Sequence, residues 1–348
     1  MTTAQRRPPA GDAGTRHTGG RRTLGLVLGA CALAGACWLS LVAGSADVSL
    51  SAVWRALTDF DGSYDQTIVR ETRLPRTVAG LLVGLALGVA GTLIQAVTRN
   101  PLADPGILGV NAGSAFFVAL ALAVSGGMSI AGYVWFALLG ALVATCAVYV
   151  IAAAGRGPAS PERLVLSGVA LAAVLSGIVT GFVLLDPETF DRMRFWSAGS
   201  LSAADLPMLG TVLPFVAAGL LLAALVARPL NAVALGEELA GALGANLTLV
   251  RAGAVVAVTL LAGGATAIAG PVGFVGLMMP HVARWIVGPD QRWIVAVSVL
   301  LSPVLVLTAD VLGRVLVGSG EVPVGVVVAF VGAPVLVGMV RRRRASTS

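Results

Sequence analysis

The feature that most constrains this chain is a series of long apolar runs separated by short polar segments. A helix needs about 20 predominantly apolar residues to cross a bilayer. Ten runs approach or reach that length, and they cover residues 24–43, 76–97, 107–124, 130–154, 164–185, 206–227, 252–269, 271–287, 293–312 and 323–340. The pattern predicts an all-α membrane protein with about ten transmembrane helices.

Composition supports the same class. Of the 348 residues, 57% are hydrophobic and only 11% are charged, whereas a soluble domain carries roughly 25% charged residues. The 44 glycines suit membrane helices that pack by close backbone approach. Most of the surface is therefore expected to face the lipid bilayer.

The distribution of charge predicts the orientation. All 23 basic residues are arginines. They occupy short segments between apolar runs and form no soluble basic face, so we expect no nucleic-acid partner. Ten crossings from a cytoplasmic N-terminus place 16 arginines inside and 7 outside, as the positive-inside rule requires. Both termini are thus predicted to be cytoplasmic.

The domain organisation follows from these runs. Residues 1–22 are polar and contain five arginines, which predicts a disordered cytoplasmic tail. An apolar run after Arg21 and Arg22 is also compatible with a signal peptide. Its length and the many later runs favour a retained helix. Residues 23–344 are then one transmembrane domain.

The sequence indicates no catalytic centre. It lacks the GxxxxGK[ST] loop that cradles nucleotide phosphates, so we expect no ATP hydrolysis by this chain. Cys31, Cys37 and Cys146 lie inside apolar runs without CxxC spacing, and there are only two histidines. For His281 a structural hydrogen bond is favoured over iron ligation. No enzyme activity, bound metal or cofactor is predicted.

Two other classes of membrane protein fit poorly. A proton-coupled secondary transporter needs carboxylates on a relay inside the membrane, and the central runs contain almost none. Asp310 can pair with Arg314 at i, i+4. A channel would need rings of charge, which are missing. Gln95 is interpreted as a hydrogen-bonding residue between helices.

Three segments outside the runs are too long for simple turns. Residues 46–75 and 186–205 lie on the predicted outer side, the second with a possible short helix near residues 191–196. Each is either a solvated linker or a docking surface for an outside partner. On the inner side, residues 233–246 suit a short amphipathic helix. From the residues alone, it could lie on lipid headgroups or enter a groove on a cytoplasmic protein.

Several segments resemble one known family. RLPRTVAGLLVGLALGVAGTLIQAVTRNPLADPGILGVNAG (Arg73 to Gly113) is similar to the signature of the FecCD family, permeases that import iron–siderophore complexes and cobalamin. Further matches follow in the family's order: LGEELAGALG (Leu235 to Gly244), GPVGFVGLMMPHVARWIVG (Gly270 to Gly288), AD-x-x-x-R (Ala309 to Arg314) and EVPVGVVVAFVGAPVLV (Glu321 to Val337). The resemblance covers nearly all of residues 23–344.

This resemblance implies a fold and a set of partners. The fold is the type II ABC importer (BtuC-like) permease fold in a bacterial plasma (inner) membrane. The partners are a second permease subunit, more in keeping with a paralogue than with an identical copy, two cytoplasmic ABC ATPases, and an extracellular or periplasmic substrate-binding protein. ATP and Mg²⁺ would be held by the partner ATPase, with no cofactor on this chain.

The resemblance also implies a cargo. NPLADPGILGVNAG and DRMRFWSAGSL (Asp191 to Leu201) look most similar to the enterobactin-type members of the family. The expected cargo is an iron–siderophore complex of the catecholate kind, passed intact between two permease subunits. Haem and cobalamin stay open as alternatives, because a shared fold does not fix the ligand.

The matched motifs imply three groups of site residues. ATPase coupling falls on Leu235, Gly236, Glu237, Glu238, Ala240, Leu243 and Gly244. Docking of the binding protein falls on Arg73, Arg76 and Arg314; from the residues alone, headgroup anchoring is the alternative for the first two and pairing with Asp310 for the third. A cytoplasmic gate falls on Asn100, Leu102, Ser160, Pro161 and Glu162, although Pro161 and Glu162 differ from the small hydroxyl residues of the family.

Overall fold

The computed structural model describes residues 13–44, 46–125, 130–154, 160–234, 246–317 and 320–345, and every regular element in these ranges is helical. The long apolar helices are α1 (Ala13–Val42), α4 (Leu74–Thr98), α5 (Val110–Ser125), α6 (Ile130–Ala153), α7 (Pro161–Leu185), α9 (Leu206–Ala234), α10 (Leu247–Ala269), α11 (Val275–Val287), α12 (Gln291–Val315) and α13 (Val324–Ala345). Each of the ten predicted runs therefore coincides with a helix.

Not all of these helices are long enough to span a bilayer by themselves. Among the described residues, seven helical stretches meet the length and hydropathy expected of a membrane span. In three others the apolar stretch is shorter: Val110–Val124 in α5, Val275–Val287 in α11 and Val324–Gly338 in α13. The break predicted after Ala269 is present, because Gly270 and Phe274 adopt positive φ angles of 70° and 66° and helix α11 begins only at Val275.

Shorter helices lie at the predicted outer end of the bundle. The segment between α1 and α4 forms α2 (Leu50–Thr58), α3 (Tyr64–Thr67) and a π-helical stretch, Ile68–Arg73, that runs directly into α4. Helix α8 (Pro187–Ser197) follows α7 and is capped by the Asp186 carboxylate, which accepts hydrogen bonds from the backbone of Glu188 and Thr189. The short helix predicted near residues 191–196 is confirmed, with wider bounds.

Helix α4 lies at the centre of the bundle and packs against α9, α10, α11 and α12. Its glycines explain this position, since they let neighbouring backbones approach closely. A Cβ atom added at Gly84 would overlap the backbone of Pro303 on α12, and one added at Gly91 would overlap the carbonyl group of Gly276 on α11. Close backbone contacts therefore hold α4 at the centre of the apolar core.

Candidate functional site

A buried ion pair connects the start of α4 to the end of α12. Arg76 Nε lies 2.9 Å from Asp310 Oδ1 and 3.0 Å from Oδ2, and Arg76 Nη2 donates to Oδ1 at 2.8 Å. The side chains are 5% and 1% exposed. Arg76 Nη1 also donates to Glu321 Oε2 at 2.7 Å, in the segment before α13. One guanidinium group thus links three parts of the chain.

Arg314 completes the pairing of Asp310 and also contacts α1. Its Nε atom lies 3.1 Å from Asp310 Oδ2, one helical turn away, which confirms the predicted i, i+4 ion pair. Its Nη1 atom donates to the carbonyl oxygens of Ser40 at 3.1 Å and Ala43 at 2.8 Å. The last carbonyls of a helix lack partners within the helix and carry partial negative charge. Arg314 therefore caps the end of α1.

Arg73 caps the same helix end. Its Nη1 atom donates to the carbonyls of Leu41 at 2.9 Å and Val42 at 2.5 Å, and its Nη2 atom donates to Ala46 at 2.6 Å. The π-helical stretch that ends at Arg73 belongs to the same helical segment as α4. The end of α1 is therefore held by two guanidinium groups, one from each neighbouring long helix.

We name Arg73, Arg76, Arg314, Asp310 and Glu321 the arginine cluster. The three arginines predicted for docking are brought together here, but all three are buried, and their donors are directed at the chain itself. A contact of these arginines with an outside protein stays a prediction. Glu321 is the accessible member, with 36% of its side chain exposed, and a cavity of about 50 Å³ adjoins the cluster.

Sequence reasoning missed the link from Arg76 to Asp310 and Glu321. An ionisable residue inside a membrane helix is expected to have a partner. This rule is the signal in the sequence that points to a carboxylate partner for Arg76. Arg314, at helical spacing, already provides Asp310 with a partner, whereas Arg76 lies 234 residues away in the sequence. Spacing along the chain cannot predict a pair so far apart in sequence.

The predicted gate residues lie at the opposite end of the bundle. The side chain of Asn100 accepts a hydrogen bond from the Leu102 amide at 3.0 Å, and Ser160 caps α7 through the Arg163 amide at 3.4 Å. Glu162 is exposed and lies near the positive charges of Arg99 and Arg163. Of Pro161 only the backbone is described. The two segments share one end of the molecule, and their role as a gate stays a prediction.

One partly buried carboxylate lies beside these residues. Asp104 accepts a hydrogen bond from the Gly106 amide at 2.8 Å and so starts the short 3₁₀ helix Pro105–Leu108. Burial raises the pKa of the Asp104 carboxyl above its ordinary value, and the Gly106 hydrogen bond offsets part of that effect. Asp104 therefore positions the connection between α4 and α5 and carries a destabilised charge.

The predicted coupling residues, Leu235 to Gly244, lie outside the residues that the structure describes. On either side of them, α9 ends at Ala234 and Asn246 caps α10 through the Leu249 amide at 3.1 Å. Near the end of α9, Asn231 donates to Asp290 at 2.9 Å and accepts from the Gln291 amide at 2.8 Å. The end of α9 is thus fixed to the start of α12.

Two further polar residues, Gln95 and His281, are buried in the bundle. Gln95 Nε2 donates to the carbonyls of Gly276 and Leu277 at 3.3 and 3.1 Å, which confirms the predicted bond between helices. His281 is buried, with its ring edge-on to Trp285 at 5.1 Å. Over the described residues, no three His, Cys, Asp or Glu side chains are grouped as metal ligands would be.

A solved structure shares the overall fold. A chain of a metal-chelate type ABC transporter in an inward-facing conformation superimposes with a TM-score of 0.79 and 27% identity, over 91% of this chain and 98% of that one. The fold is therefore that of an ABC-transporter permease. The chain belongs to the FecCD transport family, whose model it matches over residues 32–342.

Individual relatives cover nearly the whole chain. The ferric enterobactin transport system permease protein FepD of Escherichia coli (strain K12) is 50% identical over 88% of this chain and 91% of its own length. The iron(3+)-hydroxamate import system permease protein FhuB of Bacillus subtilis (strain 168) is 37% identical over 92% and 83%. The hemin transport system permease protein HmuU of Yersinia pestis is 33% identical over 88% and 91%.

Proposed function

We propose that this chain is a membrane-spanning permease subunit of an ATP-driven ABC importer that takes up an iron–siderophore complex of the catecholate kind. The observation that carries the proposal is the 50% identity to the ferric enterobactin permease over 88% of the chain. The hydroxamate and hemin permeases stand at 37% and 33%. The chain hydrolyses no ATP, and partner ATPase subunits supply that step.

We assign the second permease subunit to the exposed face of α7. Only 6% of the residues in its most apolar stretch are buried, although its mean hydropathy is 2.3. Gly177 and Gly181 have open space around them and form a GxxxG pattern, which favours close packing between membrane helices. Thr180 donates to the Ser176 carbonyl at 2.9 Å. In this proposal the chelate passes between the two subunits along a path that has room for its bulk and makes only weak contacts with it.

The proposed topology has ten crossings and cytoplasmic termini. It is supported by the arginine asymmetry of the sequence and by the ten apolar helices. Cysteines introduced at Ser63 and Ser202, both exposed, should react with an impermeant maleimide in intact cells. A cysteine at Ser348 should react only after permeabilisation. External labelling at Ser348 would end this topology.

The cytoplasmic contact with the ATPase is assigned to residues 235–244. The proposal is supported by the rigid flank, since Asn231 ties α9 to α12 next to this segment. Gly244→Trp should abolish uptake and co-purification of the ATPase, because a bulky side chain prevents close approach. Asn246→Ser, which keeps a capping oxygen, serves as the matched control. Normal uptake by Gly244→Trp would exclude this contact.

For the outer contact, we assign docking of the binding protein to the arginine cluster by exchange of carboxylates. Arg76 would release Glu321, the exposed partner at 2.7 Å, and bind a carboxylate of the binding protein instead. Glu321→Gln should then increase the affinity of the binding protein, an effect that shrinks as salt is added. Unchanged affinity at low salt would reject the exchange.

The cargo assignment is tested by transport. The chain should be reconstituted in proteoliposomes with its second permease, ATPases and binding protein, and given iron-labelled enterobactin, a ferric hydroxamate or haem. We expect ATP-dependent uptake of the catecholate complex above the other two. Equal or greater uptake of haem would overturn the cargo and leave the importer class intact. No ATP-dependent uptake of any chelate would overturn the class.

A further inference from the structure

Helix α2 packs against the end of α1 and against the π-helical stretch that leads into α4. Its Val53 and Ala56 side chains are fully buried, and they form a small core with Leu41 of α1 and Val69 of the π-helical stretch. Packed helices lie about 8–10 Å apart. Because Leu41 is one residue from the end of α1, helix α2 lies at the level where α1 leaves its apolar surroundings.

A second face of α2 is apolar and is left uncovered by the part of the chain that the structure describes. Leu50, Trp54 and Leu57 are 59%, 61% and 41% exposed. They are spaced at i, i+4 and i+7, so they form one stripe beside the buried face. The remaining arc is polar and exposed, with Ser51, Arg55 and Thr58. The helix thus has a protein-facing, an apolar and a water-facing side.

The surroundings indicate what covers the apolar stripe. On α1, Trp38 and Leu39 are each 44% exposed near the end of the helix, so the apolar outer surface of the bundle reaches the level of α2. Tryptophan is enriched at membrane–water interfaces, where one edge of the ring is apolar and the other is hydrated. Arg55 on the polar side is complementary to lipid phosphates.

We propose that α2 lies in the headgroup layer of the outer leaflet, with Leu50, Trp54 and Leu57 inserted among the lipids. The three-sided division matches an interfacial helix, which buries one flank in the boundary region and keeps the other hydrated. Through Val53 and Ala56, this contact fixes the depth of the α1 end and of the segment that carries Arg73. The lipid surface is thereby a partner of α2, separate from the protein partners of the importer.

Spin labels on single cysteines test the proposal in vesicles of phosphatidylethanolamine and phosphatidylglycerol, in a background without native cysteines. Labels at residues 50, 54 and 57 should collide severalfold more with oxygen than with a water-soluble nickel chelate, because oxygen concentrates in the lipid. Matched labels at residues 51, 55 and 58 should show the opposite preference. The collision pattern across α2 should follow the helical period.

Two results would overturn the proposal. Free access of the nickel chelate to the stripe would mean that it faces water and awaits a soluble partner. Protection from both reagents would mean that protein covers it. A check without labels uses fluorescence: quenching by brominated lipid should be clearly stronger for the wild type than for Trp54→Phe. Equal quenching would place Trp54 away from lipid. None of these readouts depends on which chelate is carried.

Discussion

Helices α4 and α7 are almost equally apolar and have opposite surroundings. Their mean hydropathies are 2.1 and 2.3, yet 78% of the residues in the most apolar stretch of the α4 segment are buried, against 6% for α7. Hydropathy therefore predicts that a segment enters a membrane and does not predict its place in the bundle. Lipid tails are as apolar as leucine, so apolar character alone gives no reason for one helix to be central.

Glycines in the middle of α4 and in the second half of α7 differ in the same way. Gly168, near the start of α7, is buried against the Ile107 carbonyl and belongs to the small covered part of that helix. In α4, Gly84 and Gly91 contact the backbones of Pro303 and Gly276 so closely that no Cβ atom would fit. In α7, a Cβ atom added at Gly177 or Gly181 would meet no atom within 4 Å from any other part of the described chain. The same residue type therefore forms an internal contact in α4 and leaves an open surface on α7, to which we assign the second permease subunit.

The largest expected effect is the loss of the charged anchor of α4. Asp310→Ala leaves the buried guanidinium groups of Arg76 and Arg314 without a carboxylate, which should cost about 3–5 kcal/mol of folding stability. Thr180→Val in α7 should change stability by less than about 0.5 kcal/mol. Thermal unfolding of both variants in detergent measures the contrast. Similar melting temperatures would contradict the anchoring role.

A double variant controls for the specific pair. Adding Arg76→Ala to Asp310→Ala removes one of the uncompensated charges. The double variant should therefore lose less stability than the sum of the losses in the two single variants. Strict additivity would mean that the 2.8 Å contact contributes no coupling energy. In that case the position of α4 would rest on packing alone.

The next effect tests backbone approach directly. Gly91→Ala adds one methyl group against the Gly276 carbonyl, and overpacking of this kind should cost about 1–3 kcal/mol. Gly181→Ala in α7 should be neutral or slightly stabilising, because alanine is the better helix former. Unfolding curves of the two purified variants provide the measurement. An equal loss for both would abolish the distinction between the helices.

A smaller loss of stability is expected when Glu321, the exposed partner of Arg76 on α4, is changed. Glu321→Gln removes the second carboxylate of Arg76, but Glu321 is 36% exposed. Because exposed ion pairs contribute about 0–1 kcal/mol, the loss should lie in that range. Asp310→Asn, at the buried carboxylate, is the matched comparison and should cost clearly more. A larger loss for Glu321→Gln would show that the anchor lies at the surface.

The smallest effect on the isolated chain is expected in α7. Gly177→Leu with Gly181→Leu should leave unfolding of the isolated subunit unchanged within about 0.5 kcal/mol, because both positions face open space. Assembly with the second permease should fail, since the helices can no longer approach closely. Co-purification of the two permeases checks this. Intact assembly would move the interface away from these glycines.

The fold was largely accessible from the sequence, because membrane helices are encoded by local composition. All ten apolar runs, the break at Gly270 and the short helix before Leu201 follow from residue types within a single segment. The Arg314–Asp310 pair was accessible for the same reason, since helical spacing alone brings the two together.

The arrangement of the site was less accessible, because it depends on which helices become neighbours. Arg73 and Arg76 were placed at an outer helix end, where either lipid headgroups or an outside protein could receive them. In the fold their donors turn inward, to the carbonyls of α1 and to Asp310. Residues 235–244 carry a motif that only the resemblance could interpret, since their own pattern fits a membrane surface equally well.

The Arg76–Asp310 contact has a consequence for the order of biosynthesis. The two residues are 234 positions apart, so at about 5–20 residues per second Arg76 leaves the ribosome on the order of 10–50 s before its carboxylate. During that interval its guanidinium group is held by water and headgroups at the membrane surface. Arg76 can pair with Asp310 only after α12 has been synthesised. The bundle is therefore closed late, by a helix from the final quarter of the nascent chain.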